Sequence, residues 1–283
     1  MSGGSSVGRR CGVLGDPIAH SLSPVLHRAA YAELGLDWSY DAHRVPSGGL
    51  GSFLAGLDDT WRGLSLTMPL KREALPLVDR LTDRARLAGA VNTLLLEPGG
   101  ERVGDNTDLP GAAAAVRERT SAPLASAVVL GGGATAASVG LALADLGVRT
   151  IDLLVRDVAR AGDTVEVLRS HDADADVDVR TGLLDASGVV DADIVVSTIP
   201  AAVQVPELLH RVGGVPVVFE ALYDPWPTPL AAAALASGRV LVGGLDLLVH
   251  QAALQHELFT GVPAPLDVMR AAGRAALEAR SNR

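Results

Sequence analysis

Cysteine is almost missing from the 283-residue chain: Cys11 stands alone, which excludes a disulfide framework and a cysteine-rich metal site. Basic residues are outnumbered, 24 Lys and Arg against 33 Asp and Glu, for a net charge of -9. No cationic field exists to displace counterions, so nucleic acid is not expected as a partner, although two local arginines can still hold one phosphate group. No run approaches the length of a membrane span, and the opening MSGGSSVGRR has no apolar segment of the kind that directs secretion. No membrane partner is expected, and the expected location is cytoplasmic. The histidines lack H-E-x-x-H or any other ligand spacing, so no metal is expected, and His20, His27, His250 and His256 read as surface or capping residues.

What is present is a globular composition, 48% hydrophobic and 20% charged, long enough for two domains. Strands and helices alternate nearly throughout, the mark of an α/β fold. RCGVLG reads as a strand, followed by a Gly15-Asp16-Pro17 turn and a helix from Pro24 to Leu34. Gly35 is placed to end that helix in a left-handed conformation. DWSYDAHRV alternates, with Trp38, Tyr40 and Ala42 on one face. RGLSLTMPL runs into a helix after Pro69, and AVNTLLLEPGGERVGDNTD forms two extended segments about a Pro98-Gly99-Gly100 turn.

The character changes at Leu109. A helix leads to AVVLG, and TIDLLVR, DVDVRTG, DIVVSTIP, PVVFEALY and RVLVGG complete six candidate strands, the content of a Rossmann sheet. Two helices then follow from Leu245 with no strand between them. The expected organisation is an N-terminal α/β substrate-binding domain, residues 1–108 plus 245–283, and a Rossmann-type dinucleotide-binding domain, residues 109–244. The C-terminal helices return to the first domain.

VVLGGGATAAS sets Gly131, Gly133 and Ala136 in a G-x-G-x-x-A pattern between a strand and a helix. The first glycine permits the tight turn, the second the approach of a pyrophosphate, and the small third residue the packing of helix on strand. The helix start adds unpaired N–H groups for an anion, so Gly131, Gly132, Gly133 and Ala134 form the expected phosphate turn. Asp152, near the start of the next strand, reads as a surface residue. At the end of that strand Arg156 and Arg160 suit a 2′-phosphate, favouring NADP, while Asp157 between them keeps NAD as the alternative. Asp157 also suits a plain N-cap.

Polar clusters stand at the ends of apolar segments: Ser21 and Ser23; Ser65, Thr67 and Lys71; Asn92 and Thr93; Asn106, Thr107 and Asp108; and, farther on, Tyr223 and Gln251. Hydroxyls, amides and one Lys/Asp couple suit a small polyhydroxylated substrate, which needs many hydrogen bonds and one proton-transfer group. Ser23, before Pro24, is placed to cap the first helix. Ser21 has no structural task in this reading.

The stretches GDPIAHSLSPVLHRAAY, LSLTMPLK, AGAVNTL, DNTDLPG, GGGATAAS, LYDPWPTPL and GGLDLLVHQAALQHELFTG together resemble the shikimate dehydrogenase family, in family order across essentially the whole chain. The resemblance implies reversible NADPH-dependent reduction of 3-dehydroshikimate to shikimate, a step of aromatic amino-acid (chorismate) biosynthesis. It implies Lys71 and Asp108 as the catalytic pair, and Ser21, Ser23, Ser65, Thr67, Asn92, Tyr223 and Gln251 at the substrate. It adds Thr198, Gly244 and Leu247 to the cofactor residues Gly131, Gly132, Gly133, Ala134, Arg156 and Arg160. Monomer or homodimer is expected.

The chain also departs from the family pattern. Ser65 stands where Asn is usual, Val155 and Asp157 replace Asn and Thr around Arg156, Leu247 replaces Met, and Asp246 replaces Gly. These leave a quinate/shikimate dehydrogenase using NAD as well as the nearest alternative. A methylene-tetrahydrofolate dehydrogenase is disfavoured by SLSP and DNTD. A non-catalytic nucleotide- or metabolite-binding regulator is disfavoured by the retained Lys71 and Asp108.

Overall fold

The computed structural model describes residues 8–171 and 177–281. The first seven residues, part of the MSGGSSVGRR stretch, and Asp176, which opens an expected strand, lie outside the described residues. The chain divides into two compact units, Met1–Thr107 with Gln251–Arg283, and Asp108–His250.

The first unit opens with β1 (Arg9–Gly15), α1 (Ser23–Glu33), β2 (Trp38–Arg44), α2 (Leu50–Ala55) and β3 (Trp61–Leu66). It continues with α3 (Leu70–Glu73), β4 (Arg80–Leu81), α4 (Asp83–Ala88), β5 (Thr93–Leu96) and β6 (Arg102–Asp105). The strands form one six-stranded sheet in the order β2-β1-β3-β5-β6-β4. β1 runs parallel to β2 and β3, whereas β5 is antiparallel to both β3 and β6. The antiparallel pair follows from the Pro98-Gly99-Gly100 turn, where both glycines have positive φ and Glu97 donates to the Glu101 carbonyl. One apolar cluster gathers Leu14, Leu64, Leu66 and Leu94 under Leu50 and Leu70, and another gathers Cys11, Val13, Tyr31, Tyr40 and Phe259.

Gly35 ends α1 as expected, with φ +62 and the Leu36 N–H returned to the Tyr31 carbonyl. β2 is an edge strand in unbroken register with β1, so Trp38, Tyr40 and Ala42 share one face as expected, buried at Tyr40 and open to solvent at Ala42. Two of the histidines depart from expectation. His27 and His256 are fully buried, His27 stacking on Tyr40 at 4.1 Å between ring centres. Apolar helical spacing brought them inward, a pattern that had been outweighed by the usual preference of histidine for the surface.

The second unit begins with α5 (Asp108–Arg119), β7 (Ser126–Leu130), α6 (Ala134–Asp145), β8 (Thr150–Val155), α7 (Gly162–Arg169) and β9 (Asp178–Leu183). It continues through β10 (Ile194–Ser197), α8 (Pro206–Arg211), β11 (Val217–Glu220), α9 (Pro229–Ala236) and β12 (Val240–Val242). α10 (Gly244–Thr260) starts here, and α11 (Leu266–Ser281) packs on α1 in the first unit. The six strands lie in the order β12-β11-β10-β7-β8-β9, and every pairing is parallel. Their near-continuous apolar runs reflect helices covering both faces. Counted in chain order within the unit, this is the 3-2-1-4-5-6 arrangement of a Rossmann sheet, whose order reverses between β7 and β10. Among the described residues no helix is long and apolar enough to cross a membrane. Nor does any group of three or more His, Cys, Asp or Glu stand ready to hold a metal ion.

Candidate active site

In the first unit the expected residues converge on a buried polar cluster at the ends of β3, β5 and β6. Backbone pairing sets the frame: Leu66 N–H donates to the Asn92 carbonyl at 2.7 Å, and Asn92 N–H to the Asp105 carbonyl at 3.0 Å. The Asn92 Oδ1 accepts from Thr107 N–H at 2.8 Å and from the Thr93 hydroxyl at 2.7 Å. Its Nδ2 therefore faces the other way, donating to Thr107 Oγ1 at 3.0 Å and toward Gln251 Oε1 at 3.4 Å. Beneath the cluster Arg84 forms a forked ion pair with Asp105, which Thr82 also donates to. Burial would raise the Asp105 carboxyl, but these hydrogen bonds outweigh it and hold it below the usual range.

Lys71 lies in α3, which follows β3 directly. Its carbonyl accepts the Val91 N–H at 2.8 Å, so its backbone is tied to the residue preceding Asn92. Thr67 N–H donates to the Leu14 carbonyl, which joins the turn before α3 to β1. A Cβ on Gly15 would stand 2.4 Å from the Thr67 methyl, so only glycine lets that turn close.

The serines exchange their expected duties. α1 begins at Ser23 itself, its N-cap position is Leu22, and no side chain caps that position. It is Ser21 whose Oγ accepts the Ser23 N–H, at 3.3 Å. Ser23 is buried inside the first turn and lies against the Tyr40 hydroxyl. Proline at the second helical position shifted the boundary by one residue, which moved the capping task to Ser21. Ser65 is likewise inward-facing: it accepts from the Tyr40 hydroxyl at 2.5 Å and donates to Gln255 Oε1 at 2.7 Å. Neither Tyr40 nor Gln255 was found from sequence. Gln255 stands one helical turn after Gln251, a spacing that was available to find it.

Asp108 and Tyr223 belong to the second unit. Asp108 is buried at the start of α5, directly after Thr107. Tyr223 sits in the segment between β11 and α9, which a buried carboxylate organises. Glu220 accepts from Leu222 N–H at 3.1 Å, from the Thr228 hydroxyl at 2.7 Å and from Gln204 Nε2 at 2.7 Å. Burial pushes the Glu220 carboxyl up. Thr228 also caps α9 by accepting the Ala231 N–H.

The glycine turn lies at the reversal of strand order. Gly131 has φ +109, and a Cβ there would meet the Thr198 hydroxyl at 2.4 Å. That hydroxyl donates to the Leu130 carbonyl at 2.9 Å, so Thr198 locks the turn. A Cβ on Gly133 would meet nothing within 4 Å, which leaves the approach to the start of α6 open. A partly exposed helix start under an open glycine cradle fits a dinucleotide pyrophosphate. Arg156 and Arg160 are both exposed after β8. Asp157 is engaged: its carboxylate caps the following turn by accepting the Ala159 N–H at 3.0 Å. Gly244 starts α10 where a Cβ would stand 2.4 Å from the Leu222 carbonyl, and Leu247 is buried one turn on. Asp246, the departure from glycine, accepts the Gly243 N–H at 2.9 Å and the Arg119 guanidinium at 2.6 Å, capping the helix.

A shikimate dehydrogenase (NADP(+)) of Symbiobacterium thermophilum is 36% identical over 96% of this chain and 95% of its own length. The crystal structure of Mycobacterium tuberculosis shikimate dehydrogenase matches with TM-score 0.85 and 42% identity over 94% of this chain and 99% of that one. The Thermus thermophilus shikimate 5-dehydrogenase in complex with NADP(H) and shikimate matches with TM-score 0.79 and 31% identity over 95% and 100%. One unit with a parallel sheet and a glycine turn, and another, α/β in kind, with a lysine and a buried amide cluster, define a two-unit oxidoreductase of the Rossmann class. Models of the shikimate dehydrogenase substrate binding domain and the shikimate 5′-dehydrogenase C-terminal domain match residues 13–94 and 244–272, and the chain belongs to the shikimate dehydrogenase family.

Proposed function

We propose that this chain catalyses the reversible NADPH-dependent reduction of 3-dehydroshikimate to shikimate, in the cytoplasm and within aromatic amino-acid biosynthesis. The observation that carries this reading is the oriented Asn92–Thr107–Gln251 cluster tied through Val91 to Lys71. It supplies the dense hydrogen bonding that a small polyhydroxylated acid requires, with one group able to move a proton. The first unit, with the C-terminal helices, binds the acid, and the second binds the dinucleotide.

NADPH, when bound, supplies the hydride. Gly131, Gly132, Gly133 and Ala134 hold its pyrophosphate, Arg156 and Arg160 its 2′-phosphate, and Thr198, Gly244 and Leu247 line the remainder. Lys71 gives the proton to the carbonyl oxygen and takes it back in the reverse direction. Asp108 holds the substrate hydroxyl that Lys71 serves. Asn92, Gln251, Thr67 and Tyr223 bind the ring hydroxyls, and Ser21 and Ser23 the carboxylate. The protein acts as a monomer or homodimer.

Following NAD(P)H absorbance with shikimate and quinate, each with NADP and NAD, tests the reading. Shikimate with NADP should give the highest kcat/KM. Preference for quinate or NAD would favour the relaxed alternative, and no turnover with any pair, despite ligand binding, would favour the regulator. Ser21 permits a narrower check. Ser21→Ala should raise KM for shikimate and also lower stability by about 1 kcal/mol, because the hydroxyl accepts a helix-start N–H as well. Denaturant midpoints measured beside KM separate the two effects.

A further inference from the structure

We propose that Gln255, with Ser65 and Tyr40, is a positioning unit for Asn92: it acts on the substrate only through Asn92, holding its backbone carbonyl directly and, through Thr93, the amide orientation that the Thr107 N–H sets. The inference rests on the functional reading above, since it assigns these residues to the same site. Gln255, Ser65 and Tyr40 are 1%, 4% and 0% exposed, and what sets them apart from the equally buried Asn92 is that their side-chain polar atoms are engaged with one another and with the Asn92 backbone carbonyl and the Thr93 hydroxyl.

The directions of the hydrogen bonds that link Gln255 to Asn92, Thr93 and Ser65 follow from one another. Thr107 N–H can only donate, so the Asn92 atom at 2.8 Å from it is the oxygen. The single Thr93 hydroxyl proton goes to that same oxygen, so Thr93 Oγ1 can only accept from Gln255, at 2.9 Å. The atom of Gln255 doing so is therefore Nε2, which also donates to the Asn92 carbonyl at 3.0 Å. Oε1 of Gln255 then needs a donor and takes the Ser65 proton at 2.7 Å. With its proton committed, Ser65 accepts from Tyr40 at 2.5 Å. The chain Tyr40 to Ser65 to Gln255 to Thr93 to Asn92 has one consistent direction, and through Thr93 it reinforces the amide orientation that the Thr107 N–H sets. At its end the donor edge of Asn92 is turned toward Gln251. Ser65, which stands where the family usually has asparagine, thus acts through Gln255.

Gln255→Glu tests the unit, because the carboxylate still accepts from Ser65 but offers nothing to Asn92 or Thr93. At pH 8.5, KM for shikimate should rise about tenfold with kcat within about threefold of the parent, the effect of losing buried hydrogen bonds. Toward pH 6 KM should recover as the buried carboxyl takes a proton and regains a donor. A purely structural role would not produce that profile. In the parent the neighbouring His27 and His256, held at about 3 and about 4 by burial, are neutral across this range; His27 lies against residue 255, so the same profile is measured in Gln255→Glu with His27→Phe to assign the titration to the new carboxyl. Gln255→Met should raise KM at every pH, and Tyr40→Phe about threefold; these two carry the test if Gln255→Glu does not fold. Parent-like KM in all folded variants, with Asn92 unmoved in their crystal structures, would overturn the proposal. Absence of shikimate oxidation by the parent defeats the functional reading instead, and the Asn92 position in the variant crystals then decides the positioning question alone.

Discussion

Lys71→Ala is expected to lower kcat by about 10²–10⁴, the range for loss of a general acid or base, while leaving KM for NADP nearly unchanged. Reduction of a ketone places charge on oxygen as hydride reaches carbon, and a proton must meet it there. Lys71 supplies that proton on the proposed mechanism. The substitution should not disturb the fold, because α3 is held by its backbone: the Leu70 N–H donates to the Thr67 carbonyl, and the Lys71 carbonyl accepts from Val91. Lys71→Arg sharpens the test. It keeps a positive charge but binds its proton too tightly to release it near neutral pH, so it too should be slow. Recovery of kcat in Lys71→Arg would mean that charge alone is needed; near-normal kcat in folded Lys71→Ala would remove Lys71 from the chemistry.

The second large effect concerns acid stability. Among the described residues no ring nitrogen of His27 or His256 has a well-formed hydrogen bond, Gln255 only approaching His27, and both rings lie among Tyr31, Tyr40 and Phe259. Burial lowers His27 to about 3, with the nearby His256 adding to it, and lowers His256 to about 4. In the unfolded chain both titrate near the ordinary 6.5. The folded values are depressed, so the stabilisation is complete above pH 6.5 and is lost as pH falls toward 4 and then 3. Each histidine should remove up to ~1.4 kcal/mol per pH unit in that window. Glu220, raised by burial, works in the opposite direction but lies in the second unit. Urea unfolding followed through Trp38 and Trp61, both in the first unit, in a Trp226→Phe background should therefore show stability falling steeply between pH 6 and 4.5. His27→Phe, which preserves the stack on Tyr40, should about halve that slope; an unchanged slope would show that His27 is not charged on unfolding.

Much of the architecture was legible in the sequence, for reasons that differ along the chain. The six strands of the second unit announce themselves because burial on both faces makes them apolar throughout, and the glycine turn because its geometry admits few other residues. β4, two residues long, and the short helices α2 and α4 carry too little periodicity to be read. Ser21 and Ser23 were visible as a pair, yet a one-residue shift in the helix start interchanged their local bonds. Asn92 and Gln251 could be named, but their tie depends on residues 159 positions apart, and the hydrogen-bond direction comes only with the folded sheet. Gln255, Tyr40 and Glu220 were missed for the same reason: a buried polar residue is recognised by its partners, which tertiary structure supplies.

Arg156 and Arg160 stand in water after β8, with Asp157 turned to its own cap. On the proposed assignment their hold on a 2′-phosphate passes through solvent, where the screening length shrinks from ~30 Å at 0.01 M salt to ~3 Å at 1 M. Discrimination between the two dinucleotides then belongs to the medium as well as to the chain. KM for NADP should climb with added potassium chloride and KM for NAD should scarcely move, so a preference measured in dilute buffer will narrow steadily as ionic strength rises.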